Sequence, residues 1–269
     1  MQKISCSAAI LTLNNAGTLG RCLESIKDFT EIILLDGNST DKTQEIGRTY
    51  GAKIYQQQET NEPNIRITDF TAMRLKSLAL TTQPWMFWID SDEYVSEELH
   101  QEIQRITADP NSDPMTCYLI PRKAVVDGRV IEHAFFYPDQ YVRLFSRKSG
   151  VTFKPGKRVH EKVLVPDGVR VVTLTGCTYA PWPSNRELMA KDRHYLELIA
   201  ADLNGAGKNR MALLRVAAIN LLKAGYIVLK IVRLHLRHGF CKTLPLRHNL
   251  RFIRYHLAIS QIWFVRSIL

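Results

Sequence analysis

Along the first ninety positions, apolar residues gather in short runs that each end in polar or acidic residues. Residues 4–13 alternate small and apolar groups into Leu11-Thr12-Leu13-Asn14-Asn15, which predicts a strand ending in a polar turn. Thr18 to Lys27 has helical spacing, with Leu19, Cys22, Leu23 and Ile26 on one side. Glu31 to Leu35 predicts a second buried strand, running into Asp36-Gly37-Asn38-Ser39-Thr40-Asp41. Thr40 or Asp41 can cap the helix expected to run to about Tyr50. Ala52 to Tyr55 reads as a third short strand, residues 68–82 as a helix, and Trp85 to Ile89 as a fully buried strand. Strand alternating with helix argues for an α/β fold with a mostly parallel, doubly wound sheet.

From about Met115 to Val172 the pattern changes to strands separated by turns, among them Asp127-Gly128, Ser149-Gly150 and Pro166-Asp167-Gly168. From Ser184 onward it becomes helical. Asn204-Gly205-Ala206-Gly207 marks the expected boundary near 203–210. No internal repeat or low-complexity segment interrupts this plan.

Charge sharpens the division. The chain of 269 residues carries a net charge of +10. From Asp202 to Leu269 twelve Lys and Arg face one acid, so this tail carries +11 and residues 1–201 carry −1. The tail is the electrostatic instrument. Five cysteines, with no C-x-x-C pair, favour free thiols in a reducing compartment. The opening Met1-Gln2-Lys3-Ile4 leads into a strand without a signal-peptide pattern. No run reaches the eighteen or so uncharged apolar residues expected of a transmembrane helix.

Candidate chemistry concentrates at Asp90-Ser91-Asp92-Glu93, where the buried 85–89 strand emerges. In open α/β sheets ligands bind at the carboxyl ends of strands. Two carboxylates one residue apart suit a divalent cation holding a diphosphate. The plainer alternative is an acidic turn, with Ser91 or Asp92 capping a helix that starts near Val95. Neither G-x-G-x-x-G nor G-x-x-x-x-G-K-S/T occurs, so a dinucleotide fingerprint and a P-loop are both excluded.

Three blocks then carry a resemblance: Thr12-Leu13-Asn14-Asn15 with the helix holding Arg21 to Ile26, the run Ile33 to Thr43 around Asp36, and Asp90-Ser91-Asp92-Glu93. In this order and spacing the chain resembles family-2, inverting glycosyltransferases of the GT-A fold. Tyr137-Pro138-Asp139, Arg143-Leu144-Phe145, Val159-His160-Glu161, Lys191 and Tyr195 further resemble a subgroup of bacterial enzymes that add sugars to lipopolysaccharide core. The resemblance implies a Rossmann-like, mostly parallel sheet flanked by helices, with the basic helices as an appendage. It makes residues 1–203 the catalytic domain (1–110 for the nucleotide-sugar, 111–203 for the acceptor), while the charge pattern of 204–269 makes that region a membrane-surface attachment. It implies a nucleotide-sugar donor, a UDP-hexose, contacted by Thr12, Leu13, Asn14, Asp36, Arg74, Asp90, Ser91 and Arg143. Asp36 would accept hydrogen bonds from uracil or ribose, and Arg143 would clamp phosphate, with a structural ion pair as its alternative. Asp92, supported by Asp90, would hold Mg²⁺ or Mn²⁺. Glu161 is the first candidate base beside His160, and Asp139 the second. The acceptor would be a saccharide or glycolipid. Departures are Asn15 where the family has an acid, Leu75 after Arg74 where it has Asn, and Cys177-Thr178-Tyr179 where a metal-facing His is frequent.

On a helix over 212–237, at 100° per residue, Arg215, Lys223, Lys230, Arg233 and Arg237 share one arc of about 80°. Apolar residues fill most of the remainder, as suits a helix half-sunk in an anionic bilayer interface. A solvated basic stripe on an ordinary packed helix is the alternative. The stretch 244–269 repeats the theme. The expected place is therefore cytoplasmic, on the inner face of the cytoplasmic membrane. Nucleic acid fits the charge, but no base-reading motif accompanies it. Two rival functions stay open: a nucleotidyltransferase, which would usually carry a Gly-rich cationic loop where Asn14-Asn15-Ala16-Gly17 stands, and a non-catalytic binding module on a transferase scaffold.

Overall fold

The computed structural model describes residues 3–154, 162–204 and 209–268. In chain order these form β1 (Ile4–Thr12), α1 (Leu19–Glu24), β2 (Phe29–Asp36), α2 (Thr43–Thr49), β3 (Lys53–Gln56), α3 (Phe70–Leu80), β4 (Trp85–Trp88), β5 (Tyr94–Val95) and α4 (Glu97–Ala108). There follow β6 (Thr116–Val126), β7 (Arg129–Val130), β8 (Gln140–Ser146), β9 (Thr152–Phe153), β10 (Val163–Leu164), β11 (Arg170–Thr173) and β12 (Thr178–Pro181). Three helices end the chain: α5 (Asn185–Asn204), α6 (Arg210–His238) and α7 (Leu246–Ile268). Two compact units emerge: Met1–Lys123 with Pro138–Ala180, and Ala124–Tyr137 with Pro181–Leu269. The boundary expected near 203–210 falls partly on residues 205–208, outside the described residues.

The first unit is built on a sheet in which β3, β2, β1, β4, β8 and β6 lie side by side. β1 pairs in parallel with β2 and β4, and β2 with β3, as the alternating pattern predicts. β8 enters antiparallel between β4 and β6, making the sheet mixed. β1 and β2 are apolar almost throughout because helices cover both faces of a parallel sheet. Side chains alternate along β4. Trp85 and Phe87 join the core with Leu23, Phe29, Leu99 and Ile103, whereas Met86 and Trp88 join the one with Phe145 and Phe153.

Helix starts correct two expectations. The helix after the acidic turn begins at Glu97 rather than Val95, and its cap is Ser96 rather than Ser91 or Asp92. Ser96 Oγ accepts from Leu99 N and from Cys177 N, both at 3.1 Å. Residues 94 and 95 are drawn into β5 instead, opposite Tyr179 and Thr178 of β12. Asp69 caps α3 by accepting from Ala72 N at 2.9 Å, whereas the N-cap of α2 is Lys42, without a side-chain cap, rather than Thr40 or Asp41; Asp41 Oδ1 accepts from Thr43 N just ahead of it. All five cysteines are free thiols, four of them buried.

In the second unit α6 and α7 pack antiparallel, Ala217 O accepting from Ser260 Oγ at 2.8 Å and Asn220 Oδ1 facing His256 Nδ1 at 3.0 Å. α6 buries Leu213, Ala217, Asn220, Ala224, Ile227 and Ile231, a 4-3-4-3-4 spacing that makes one straight seam. The cations of the predicted arc, Arg215, Lys223, Lys230, Arg233 and Arg237, are all exposed. So are Leu221, Leu222, Leu229, Val232 and Leu236. α6 also contains an eighteen-residue stretch with no more than two charges, long and apolar enough to cross a membrane. No uncharged run of eighteen occurs, as expected, yet the stretch is long and apolar enough because isolated cations interrupt it without removing its apolar character.

Candidate active site

Three chain segments reach the carboxyl edge of the central strands together. Thr12, Leu13 and Asn15 follow β1, Asp90 and Ser91 follow β4, and Arg74 projects from α3. With Arg66, Ile67 and Phe70 they line a cavity of about 400 Å³. Of the residues expected to contact a donor, the fold thus gathers Thr12, Leu13, Arg74, Asp90 and Ser91. Sequence reasoning missed Arg66, which has no strand or helix of its own to mark it. Its loop is held by Gly37: Ile65 N donates to Gly37 O at 2.8 Å, and a Cβ on Gly37 would lie 2.4 Å from Ile65 O.

Two expected donor residues serve the frame. Asp36 is buried, and four protein groups already occupy its carboxylate: Thr12 Oγ1 at 2.8 Å, Ser39 Oγ at 2.6 Å, Ser39 N at 2.8 Å and Gln44 Nε2 at 2.8 Å. It ties the end of β1 to the loop after β2. Asn14, at φ +53°, donates to Asn64 Oδ1 at 2.8 Å and accepts from Thr40 N at 3.0 Å. Neither lines the cavity.

Arg143 is corrected from phosphate clamp to buried ion pair, the alternative held open for it. Only 1% of its side chain is exposed, and it grips Glu93 through both terminal nitrogens, one of them at 3.0 Å. An arginine this enclosed cannot reach a ligand without unpairing Glu93 in a dry interior, a change that costs about 3–5 kcal/mol. Burial acts first to raise the Glu93 carboxyl, Arg143 opposes it, and Asp90 adds to it. Both guanidiniums approach the Trp88 ring, Arg74 at 4.4 Å and Arg143 at 4.5 Å from its centroid. Its own Nε1 donates to Val142 O at 2.9 Å. The aromatic strand therefore forms the floor that aims Arg74 at Asp90, 2.5 Å away.

The two aspartates differ. Burial acts to raise Asp90, but Arg74 and then Arg143 outweigh it and hold the carboxyl below the usual range. About a third of the Asp90 side chain still faces solvent. Asp92 stands exposed at the tip of the turn, and partial desolvation, followed by the like charge of Asp90, pushes its carboxyl up. A cation bound between the two would reverse that repulsion. No group of three or more His, Cys, Asp or Glu side chains suited to a metal occurs among the described residues. Two hard carboxylates nonetheless fit Mg²⁺ or Mn²⁺, which completes its shell with phosphate oxygens and water. The β12 segment adds no histidine: Cys177 and Thr178 are buried, and Tyr179 packs on Tyr94 at 5.1 Å.

Among the candidate bases, Glu161 and His160 lie outside the described residues. Asp139 accepts from Arg122 Nε at 2.8 Å. Arg122 also approaches Glu93 at 3.4 Å, so a chain of charges links Asp139 to the floor beneath Asp90. Glu93 and Arg122 were not foreseen. Glu93 follows the two aspartates directly, but its inward turn is set by Arg143, fifty residues away.

The model of glycosyl transferase family 2 matches residues 7–157. An uncharacterised glycosyltransferase of Rickettsia felis is 33% identical over 216 residues, covering 77% of this chain and 72% of its own. The lipopolysaccharide core biosynthesis glycosyltransferase LpsC of Rhizobium meliloti is 28% identical over 166 residues, 62% of this chain and 59% of its own. Among solved structures, TarS 1–349 of S. aureus in complex with UDP aligns with a TM-score of 0.47 at 17% identity, over 97% of this chain and 90% of that one. The match over more than half of the chain, on a GT-A-type sheet whose carboxyl edge carries Asp90 and Asp92, places the protein in glycosyl transferase family 2.

Proposed function

We propose that the protein transfers a hexose, with inversion, from a UDP-sugar to a saccharide carried on a lipid of the cell envelope. The observation that carries this reading is the 400 Å³ cavity at the ends of β1 and β4, lined by Arg66, Arg74 and Asp90 among others. Thr12, Leu13, Asn15 and Ser91 would position the nucleoside and ribose there. Asp92 and Asp90 would hold Mg²⁺ or Mn²⁺, which supplies charge neutralisation to a departing diphosphate. Arg74 is paired with Asp90, which leaves Arg66, among the described residues, as the cation free to face a diphosphate in the cavity. Glu161 would take the proton from the acceptor hydroxyl, since Asp139 is engaged by Arg122. The similarity to LpsC supports a lipopolysaccharide-type acceptor.

The helices α6 and α7, within the expected 204–269 attachment region, would hold the enzyme on the inner face of the cytoplasmic membrane. An in-plane position is favoured over a span. Lys223 lies at the middle of α6, and a cation at the bilayer centre costs about 2.5–3.5 kcal/mol. Arg215 and Lys230 would also fall within the hydrocarbon layer.

The test is UDP titration with Mn²⁺ and with EDTA. The wild type should bind more tightly with the metal, and Asp92→Asn should erase that difference while leaving the folded spectrum unchanged. Nucleotide affinity that ignores the metal in the wild type sinks the assignment of Asp92.

A further inference from the structure

A second cavity, of about 380 Å³, opens between α5 and α7. Four arginines line it, Arg193, Arg247, Arg251 and Arg254, against one carboxylate, Asp192. Arg247 is paired with Asp127, and Arg251 Nη1 donates to Asp192 at 2.8 Å. Arg251 Nε is buried without a hydrogen-bond partner, and among the described residues neither Arg193 nor Arg254 has an ion-pair partner. Water satisfies an isolated surface arginine easily. Several guanidiniums converging on a confined space leave an uncompensated positive potential that an anion with several oxygens relieves. Met189, Leu196 and Leu250 supply apolar wall beside them.

The same cleft adjoins an apolar face. On α7, Leu246, Leu250, Leu257, Phe264 and Ile268 are exposed and, at 100° per residue, share an arc of about 40°. That arc begins roughly 60° past the seam of Asn249, His256, Ser260 and Ser267. On α6 the exposed arc of Leu221, Val228, Val232, Leu236, Leu229 and Leu222 is displaced in the same rotational sense from its own seam. Because the two helices are antiparallel, equal rotational sense puts both arcs on one side of the pair. Leu250 belongs to the apolar face and to the arginine cleft alike.

We infer that the α5–α7 cleft binds the phosphomonoester headgroup of an anionic lipid whose acyl chains lie along the apolar face of α6 and α7. A phosphomonoester offers three terminal oxygens to the guanidinium forks, more than the two of a diester bridge. Leu250 sits where the headgroup gives way to hydrocarbon. The inference rests on the membrane-surface reading of the helices and is independent of the donor site.

The test is flotation of the full-length protein with phosphatidylcholine vesicles containing phosphatidic acid, or phosphatidylglycerol at matched surface potential. Arg193→Gln with Arg254→Gln alters two exposed side chains that form no ion pair among the described residues and should leave folding intact. On phosphatidic acid vesicles this variant should lose clearly more than the roughly 25-fold, about fivefold per cation, that any two surface cations contribute. Its loss on phosphatidylglycerol should be no greater than that of Lys223→Gln with Lys230→Gln, which should weaken both vesicles alike. Short-chain phosphatidic acid should compete for the site better than inorganic phosphate. Equal competition would mark a free-phosphate site and overturn the lipid assignment. Equal binding to both anionic vesicles, or equal losses in the two variants, removes the cleft site and leaves membrane attachment standing. Failure to float with any anionic vesicle removes both, while nucleotide binding continues to test the donor site separately.

Discussion

Replacing Glu31 tests how the sheet beneath the donor site is held. Glu31 sits on β2 with 2% of its side chain exposed. Oε2 accepts from Ser7 Oγ of β1 and from Thr82 N at 2.8 Å, and Oε1 from Thr82 Oγ1 at 2.9 Å and Lys53 Nζ at 2.8 Å. Burial acts to raise its carboxyl, but Lys53, Ser7 and Thr82 together pull it down to about 2. Against an unperturbed 4.5, that stabilises the folded protein by about 3 kcal/mol at neutral pH. The folded value is the depressed one, so this stabilisation is present above pH 4.5 and is lost as pH falls from 4.5 toward 2. Lys53 is more than half exposed, so its share is screened, and Lys53→Met should cost less than about 1 kcal/mol. The buried hydroxyls and the Thr82 amide carry the rest. Urea denaturation of the wild type and Glu31→Gln should therefore differ by about 3 kcal/mol at pH 7, and the gap should narrow at pH 3. A gap that stays constant between these pH values, or a Lys53→Met variant as damaged as Glu31→Gln, would refute the reasoning.

Further outcomes concern the site and the tail. Glu161→Gln should slow transfer by about 10² to 10⁴ with donor affinity kept; loss in Asp139→Asn with activity retained in Glu161→Gln would reverse those roles. Gly37→Ala should cost about 1–3 kcal/mol of stability and weaken UDP binding, because its Cβ would push the loop bearing Arg66 through Ile65 O. A normal UDP titration by that variant would detach the loop from the site. The full-length protein should float with anionic vesicles and be released by high salt, each cation contributing about 1 kcal/mol near the surface. Indifference to anionic vesicles would make the basic arc a solvated face.

The parallel half of the sheet was legible because β1, β2 and β4 are buried on both faces and announce themselves as apolar runs ending in polar residues. Asp90 and Ser91 were readable for the same reason, as the first polar residues after such a run. What failed to show were partnerships closed across long sequence separation. The density of acids at 90–93 suggested a helix cap there, yet Tyr94 and Val95 pair with a strand more than eighty residues on, delaying the helix to Glu97. Arg143 looked available to phosphate because Leu144 and Phe145 marked only its strand, and nothing local tells of Glu93. Asp36 stands at the strand end as read, and what its sequence neighbours did not show is that Gln44 and Ser39 hydrogen-bond its oxygens once α2 folds back.

The seam between α6 and α7 has a consequence for register. Asn220 meets His256, and Ala217 O meets Ser260, along a seam whose α6 side is otherwise made of small and branched apolar residues. Burial and the nearby Lys223 lower the His256 pKa, so its ring stays neutral and can share the hydrogen bond. Sliding one helix by a single turn, about 5.4 Å, would set both polar groups against aliphatic neighbours without partners. Apolar seams alone tolerate such slips, whereas these two pins select one alignment. The hairpin therefore behaves as a ruler: wherever α6 rests, Leu250 and the arginines of α7 are delivered at one fixed height along it.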